Sequence, residues 1–435
     1  MNKVTLLVPD KSEKITIVSY MEKYFLKKGY HKFKEKSFTD KYLLKFFYKP
    51  LRKINIILNL IKNSNFIFKN PKKKNIIIYD CEGTINLLKV VPDKNYEIIS
   101  TRVDRMEKIY ITKNIIFYII KNFFKKSLKQ NYIAALVKDI SPKIVLTNID
   151  KSSDFHITAK IFKYSDIKFL AVQSSGLEGS DFMKETKAGK NFFIPEFLCF
   201  SNFDKELINK NKRSVNKFYT VGSLRSSLAK EYVKIKKIDI NPGKYDICLI
   251  SEQNPVTSED YSDVENFEEV PGTIAEYAHR LCKKKNLKII FSGRGKSDDL
   301  NSDEEIFFYE EFLKNYDFKI SQSSSDAFGT PINIMQSKIV IGHCSTTLRE
   351  AFSFEKKVLA VQYKQHPDII FPADGLCLLK NSSYDDFEER VLKILSMTKK
   401  EYDYRLSKKT DFIMENKINT ADFVRNRLKE ILKNS

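Results

Sequence analysis

Short apolar runs alternate with longer amphipathic stretches along this chain, and that alternation restricts its fold more than any other feature. Buried parallel strands read as continuous apolar runs, and the helices crossing between them read as longer segments with one apolar face. In the first half the expected strands are Val4–Val8, Ile76–Tyr79, Ile144–Thr147, Phe169–Val172 and Phe197–Phe200. The clearest helical stretch runs from about Ile115 to Ile140 and stops at Ser141-Pro142. A second series follows Asn241-Pro242-Gly243, with strands Ile247–Ser251, Leu287–Phe291, Ile339–Ile341 and Val358–Val361. Helices near 270–285, 303–315, 330–336 and 346–354 alternate with them. The Lys-rich stretch 226–244 has little apolar periodicity and is expected to be a linker. Residues 384–397 and 400–433 look helical with no strand between them. The expected organisation is therefore two α/β domains, 1–225 and 245–400, then a helix in 401–435 that returns to the first. Ligands of such sheets sit beyond the carboxyl ends of the strands, so a cleft between the domains is where chemistry is expected.

Length and composition agree with this plan: 435 residues allow two or three domains, and 42% hydrophobic residues can fill their cores. The formal charge of +21 at first points to a polyanionic partner, but it is unevenly placed. Residues 1–75 hold 19 basic and five acidic residues, so they carry +14 of the total. Aromatic and basic residues interleave in Tyr42–Arg52, which suits an anionic lipid surface and equally suits an amphipathic helix packed on the first domain. The longest apolar stretches, Ile54–Ile61 and Ile115–Ile120, fall short of the roughly 18 residues needed to span a bilayer. The run at Val4–Pro9 is too short for a signal peptide. Six well-separated cysteines, none in a C-x-x-C spacing, are expected as buried free thiols. These readings imply a cytoplasmic protein that rests on a membrane surface through residues 31–75, with no nucleic acid as its partner.

The sharpest local signal is Ile339-Val-Ile-Gly-His-Cys-Ser-Thr-Thr-Leu-Arg-Glu, an apolar strand, a Gly turn and a helix start. Ser345, Thr346 and Thr347 at a helix N-terminus favour a phosphate, and Glu350 one turn on could reach a ribose or base hydroxyl. An ordinary N-cap explains the segment equally well. In Ile289-Ile-Phe-Ser-Gly-Arg-Gly-Lys, Arg294 and Lys296 could neutralise an anion, although a solvated basic turn accounts for the same residues. After the strand Ile76–Tyr79, Asp80 and Glu82 are placed for general-base work or for an acidic turn without catalysis. Asp150, Asp154 and His156 form a weaker set of the same kind. Gln173 and Ser174 close another strand, Gly222 and Arg225 stand before the linker, and His366 in Gln365-His-Pro-Asp follows the last strand; all five are candidates for the cleft. No zinc or di-iron spacing, G-x-S-x-G elbow, G-x-G-x-x-G turn or P-loop is present in the sequence. No metal or other cofactor is therefore expected.

The order of these motifs resembles a family. Asp80-Cys-Glu-Gly, the Phe197–Phe200 strand, Val221-Gly-Ser-Leu-Arg225, Gly293-Arg-Gly-Lys with Glu304-Glu-Ile-Phe-Phe-Tyr, and Gly342-His-Cys-Ser-Thr-Thr-Leu-Arg-Glu are similar to bacterial surface carbohydrate biosynthesis proteins. That group is similar to GT-B glycosyltransferases and to the β-Kdo transferases of capsule and lipopolysaccharide assembly. The resemblance covers about residues 76–405. It implies α/β architecture with two Rossmann-like domains facing across a cleft and a C-terminal helical tail. It further implies a nucleotide sugar on the C-terminal domain, held by Arg294, Lys296, Ser345, Thr346, Thr347 and Glu350, and an acceptor glycan or lipid-linked sugar on the N-terminal domain. Asp80 and Glu82 would be base or nucleophile. Cys81 departs from the pattern, standing where related chains often carry an acidic residue. The activity so implied is glycosyl transfer from a nucleotide sugar, CMP-Kdo-like donors included, to a surface polysaccharide or lipopolysaccharide. The alternatives are a nucleotide-sugar epimerase of the same fold and a basic nucleic-acid-binding protein.

Overall fold

A computed structural model describes residues 58, 61–62, 64–80, 84–92, 94–100, 106–124, 126–177, 181–252, 269–296, 300–323, 328–343, 345–363 and 371–434. The expected strand Val4–Val8, Glu82, His366 and most of residues 31–75 lie outside them, as do the side chains of Arg294 and Lys296.

The larger of two compact units contains both six-stranded sheets. Its first sheet comprises β1 (Ile76–Tyr79), β2 (Tyr96–Ile99), β3 (Ile144–Thr147), β4 (Lys168–Val172), β5 (Phe193–Cys199) and β6 (Ser214–Thr220), all parallel, in the spatial order β2-β1-β3-β4-β5-β6. The second comprises β7 (Tyr245–Ile250), β8 (Ile289–Lys296), β9 (Ile320–Ser323), β10 (Ser337–Gly342), β11 (Lys357–Gln362) and β12 (Leu378–Lys380), also parallel, ordered β9-β8-β7-β10-β11-β12. Both orders reverse direction beside the first strand, between β1 and β3 and between β7 and β10. Those are the points where doubly wound sheets open a crevice at the strand ends.

Buried strands alternate their side chains between two cores, as the two-residue period of a strand requires. Ile77, Tyr79, Val145, Phe169 and Phe197 join Phe155 and the helix Leu128–Ile140 on one face of the first sheet. Ile76, Ile78, Leu146, Leu170 and Leu198 face a core that continues through Leu224 and Leu228 into the second sheet. Val424, Leu428 and Ile431 of the C-terminal helix Thr420–Asn434 complete that core. Arg427 of this helix pairs with Glu196 on β5. Cys199, Cys248, Cys282 and Cys377 are buried free thiols, whose pKa values burial raises to about 12.

Several elements differ from the sequence reading. The stretch 115–140 is two helices, Lys113–Lys121 and Leu128–Ile140, because Ser127 starts the second by accepting from the Gln130 N–H at 3.3 Å. Much of 226–244 is helical rather than irregular: Ser223 caps the helix Leu224–Lys236, which buries Leu224, Leu228 and Ala229. The strands β2, β6 and β9 carry polar or part-exposed positions and show no apolar run to find, whereas β12 lies in the short run Leu376–Leu379, which the sequence reading passed over. Gly222, just after β6, has φ +85°, and a Cβ there would stand 2.3 Å from the Glu415 carbonyl oxygen. Only glycine fits that chain crossing.

The smaller unit, residues 1–66 with 102–109 and 254–265, has few described residues; among them the Asn65 N–H donates to the Glu107 carbonyl at 2.8 Å.

Candidate functional site

The carboxyl ends of the first sheet carry a buried polar group on each central strand. Asp80 follows β1 at φ +74°, a left-handed conformation that Asp tolerates better than most residues, and its carbonyl accepts from the Thr84 hydroxyl at 3.1 Å. Asp150, after β3, is fully buried. Its Oδ1 accepts from both the N–H and the hydroxyl of Ser174 at 3.0 Å, while its Oδ2 is buried with no partner. Burial pushes the Asp150 carboxyl up to about 6, against the pull of Lys151 and the Ser174 hydrogen bonds. Asn148 Oδ1 is likewise buried without a partner.

In the second sheet the equivalent carboxylates are engaged, while Gln362 at the end of β11 keeps a buried Nε2 without a partner. Glu252, beyond β7, accepts from the His343 N–H at 2.7 Å, and His343 Nδ1 meets the Val361 carbonyl at 2.7 Å. The Ser251 hydroxyl donates to Glu305 and lies 3.1 Å from the Tyr309 hydroxyl. The Asn333 amide donates to the Ser292 hydroxyl at 2.7 Å. Gly342 closes β10, and a Cβ there would stand 2.8 Å from Glu252 Oε1. The helix Thr346–Ser353 then begins at Ser345, whose hydroxyl accepts from the Thr347 N–H at 3.2 Å.

Three contacts join the strand-end regions of the two sheets. The Gly176 N–H donates to Thr346 Oγ1 at 2.9 Å. Glu350 accepts from the Ser223 hydroxyl at 2.6 Å and from Arg225 at 3.3 Å. Arg349, 1% exposed, donates to both oxygens of the fully buried Asp204, at 3.1 and 2.6 Å. The same guanidinium reaches the Ser201 hydroxyl and the Ile413 carbonyl. Gln173 braces this pair: its amide donates to Asp204 Oδ1 at 2.8 Å and its Oε1 accepts from the Phe200 N–H at 2.8 Å.

The structure thus brings Thr346 against Gly176 and Glu350 against Ser223 and Arg225, while Ser345 and Thr347 bond to each other at the helix start and Ser174 bonds to Asp150. Glu350 has both oxygens engaged at the joint between the sheets, and the Thr346 hydroxyl is engaged by Gly176. Asp80 stands on a separate strand end of the first sheet. Arg294 and Lys296 continue β8 through their backbone. Sequence reading gave no role to Arg349 or Asp204. The signal was Ser201-Asn-Phe-Asp204 after a strand, an N-cap pattern whose serine caps no backbone N–H here because Asp204 is turned to Arg349. Among the described residues no three His, Cys, Asp or Glu side chains cluster to hold a metal ion.

No protein-family model matches the chain, and no curated protein matches it in sequence. Solved structures do match in shape. A UDP-GlcNAc 2-epimerase from Neisseria meningitidis bound to UDP-GlcNAc is 12% identical, with a TM-score of 0.50 over 83% of this chain and 99% of that one. A glycosyltransferase from Rickettsia africae is 14% identical, with a TM-score of 0.40 over 84% of this chain and 100% of that one. A sucrose-phosphate synthase from Thermosynechococcus elongatus is 7% identical, with a TM-score of 0.45 over 83% and 99%. At such identities the likeness is one of fold. With the two parallel sheets, the epimerase match gives the chain the two-domain α/β architecture of the GT-B class. The resemblance to β-Kdo transferases rests on the sequence motifs alone.

Proposed function

We propose that this protein is a nucleotide-sugar enzyme of GT-B architecture, and specifically a glycosyltransferase acting on a surface polysaccharide or lipopolysaccharide acceptor. The observation that carries the reading is the pairing of unlike strand ends. Buried carboxylates close the strands of one sheet, and a helix start closes a strand of the other, joined by Gly176 and Thr346. Glycosyl transfer needs both halves: negative charge grows on the departing phosphate, and a carboxylate must take the proton of the attacking hydroxyl or meet the anomeric carbon.

In this scheme the first backbone N–H groups of the helix Thr346–Ser353, with Ser345 and Thr347, receive the donor phosphate. Arg294 and Lys296 balance its charge. Thr346 contributes its N–H, since its hydroxyl already accepts from Gly176. Asp80 and Glu82 are the base or nucleophile, and Asp150 holds Ser174 toward the acceptor side. Guanidinium and helix terminus suffice for the leaving group, so the scheme uses no metal. A CMP-Kdo-like sugar is one donor it accommodates. Residues 31–75 would rest the enzyme on the cytoplasmic membrane face, where lipid-linked acceptors are found.

The fold match to an epimerase keeps a second reading open, in which the nucleotide sugar is rearranged without an acceptor. Full-length protein incubated with CMP-, UDP- and GDP-sugars separates the two. Stabilisation by one nucleotide class is expected, worth about 2.7 kcal/mol at a hundredfold excess over Kd. Nucleotide release only with a glycan acceptor selects the transferase; rearranged sugar without acceptor selects the epimerase. No stabilisation by any class removes both. The Ser345→Ala/Thr347→Ala variant is expected to bind donor about tenfold more weakly, roughly 1.4 kcal/mol. Parent-like affinity would remove the phosphate assignment.

A further inference from the structure

The helix Lys113–Lys121 and the turn after it present an apolar ridge to solvent. Phe117, Ile120, Phe123, Phe124 and Leu128 are between 58% and 98% exposed, with Phe124 the most exposed. Isolated apolar side chains on a surface need no explanation, but four on one helix and its adjoining turn, with Leu128 opening the next helix, do. The same helix holds the fold with a single buried residue, Ile115.

The charge around the ridge is mostly positive, with Asp139 the exception at 3.5 Å from the Thr112 hydroxyl that caps the helix. From Lys108 to Lys138 the sequence carries seven lysines and no acidic residue. Lys129, next to Leu128, pairs at 2.6 Å with Asp154 on the helix Ser153–Ile161, which also carries Lys160 and so links the ridge to a second basic area. There, Lys160, Lys163, Lys190, Lys212 and Arg213 surround a hollow of about 420 Å³ floored by Phe192 and Phe193. Of the acids in this area, Asp154 pairs with Lys129 and Glu185 with Arg213. Arg213 keeps its Nε buried without a partner.

We infer that this ridge and hollow form a docking surface for an anionic phospholipid bilayer, in which Phe117, Ile120, Phe123 and Phe124 enter the acyl boundary and the hollow receives a headgroup phosphate. Apolar side chains backed by lysines are the composition of helices that lie in the interface plane. Anionic headgroups attract such a basic surface within a Debye length. The ridge helix has nine residues, too few to cross a bilayer, so its contact is to one leaflet. The surface is distinct from residues 31–75 and does not rest on the nucleotide-sugar reading.

The chain contains no tryptophan, so Phe124→Trp installs a single reporter in the full-length protein. With phosphatidylglycerol vesicles its emission is expected to shift to the blue and to be quenched by brominated acyl chains. Unshifted, unquenched emission from protein that sediments with the vesicles would overturn the inference. Phe123→Ser/Phe124→Ser is expected to weaken vesicle binding at least tenfold while nucleotide-sugar stabilisation stays as in the parent. Equal binding by parent and variant would also overturn it. Lys163→Glu/Lys212→Glu is expected to lower binding to anionic vesicles and to flatten its salt dependence. Unchanged binding would remove the hollow from the surface. Binding of this pair variant that falls equally for free inorganic phosphate and for vesicles would make the hollow a phosphate site and overturn its role as a headgroup seat.

Discussion

The two sheets end their strands in opposite ways. In the second, the carboxylates Glu252 and Glu305 are engaged by His343 and Ser251, and the group left over is an amide, the buried Nε2 of Gln362. In the first, Asp150 is fully buried yet keeps one oxygen without a partner. A buried polar group left unpaired costs stability, so a fold retains one where something else is gained. The second sheet, with its carboxylates paired, is a scaffold that presents a helix terminus, and the first holds a half-paired carboxylate at a cost. Perturbed carboxylates of that kind are what acid–base chemistry uses.

Breaking the joint between the sheets is expected to have the largest effect. Arg349 and Asp204 are both buried, and the pair also involves Ser201 and Gln173. Arg349→Met leaves Asp204 ionised with no cation, which is expected to cost about 3–5 kcal/mol in a urea titration. The Arg349→Met/Asp204→Leu double variant is expected to recover most of that loss, because it removes both desolvated charges. A single variant within about 1 kcal/mol of the parent would show that the sheets are joined by apolar packing alone.

The next effect appears as pH dependence and belongs to the first sheet. Asp150 has its folded pKa raised from 3.8 to about 6, so the folded state holds its proton longer. Its contribution to stability therefore falls as pH rises from about 4 to 6. His156 is the reverse case. It is buried neutral beside Phe182 and Phe192, its Nδ1 donates to the Phe193 carbonyl, and burial lowers its pKa from 6.5 to about 4. Its contribution is lost as pH falls through the same window. Each shift is a little over two pKa units, on the order of 3 kcal/mol, and the signs oppose. Melting temperatures from pH 4 to 7 should expose the cancellation. Relative to the parent, His156→Gln is expected to lose stability as pH rises, and Asp150→Asn to gain it. Two variants with the parent's slope would place the first sheet on the same footing as the second.

Much of the fold was legible because its central strands are apolar on both faces. Ile76–Tyr79, Ile144–Thr147 and Val358–Val361 stand in the sequence as uninterrupted runs, and all are strands. Edge strands such as Ser214–Thr220 were not legible, since one neighbour is solvent and polar residues are tolerated there. The candidate site was legible only as far as strand ends can be found. Asp150 and Ser174 were named as polar residues after separate strands, yet only the parallel pairing of β3 with β4 puts them together. Glu350 read as a ligand contact, while its partners Ser223 and Arg225 lie 127 and 125 residues away in the chain. No spacing rule reaches that far. Arg349 was passed over because a buried arginine is indistinguishable in sequence from a solvated one.

The smallest expected effect concerns the C-terminal helix, which binds the first sheet through a charge pair of a different kind. Arg427 meets Glu196 in a two-pronged arrangement at 2.9 and 2.8 Å, with both side chains between 13% and 16% exposed. Partial solvent access lowers both the desolvation cost and the attraction, and Glu430 stands ready as a second partner at 2.7 Å. Arg427→Gln is therefore expected to cost about 1 kcal/mol or less, with the loss shrinking further in high salt. The helix stays docked because Val424, Leu428 and Ile431 are buried in the core shared with both sheets. Val424→Ala should then cost more than Arg427→Gln in the same titration, since it leaves a cavity where the charge variant leaves a hydrated surface. A larger loss from Arg427→Gln would mean that the tail is held by its charges, and the contrast with the buried Arg349 pair would fail.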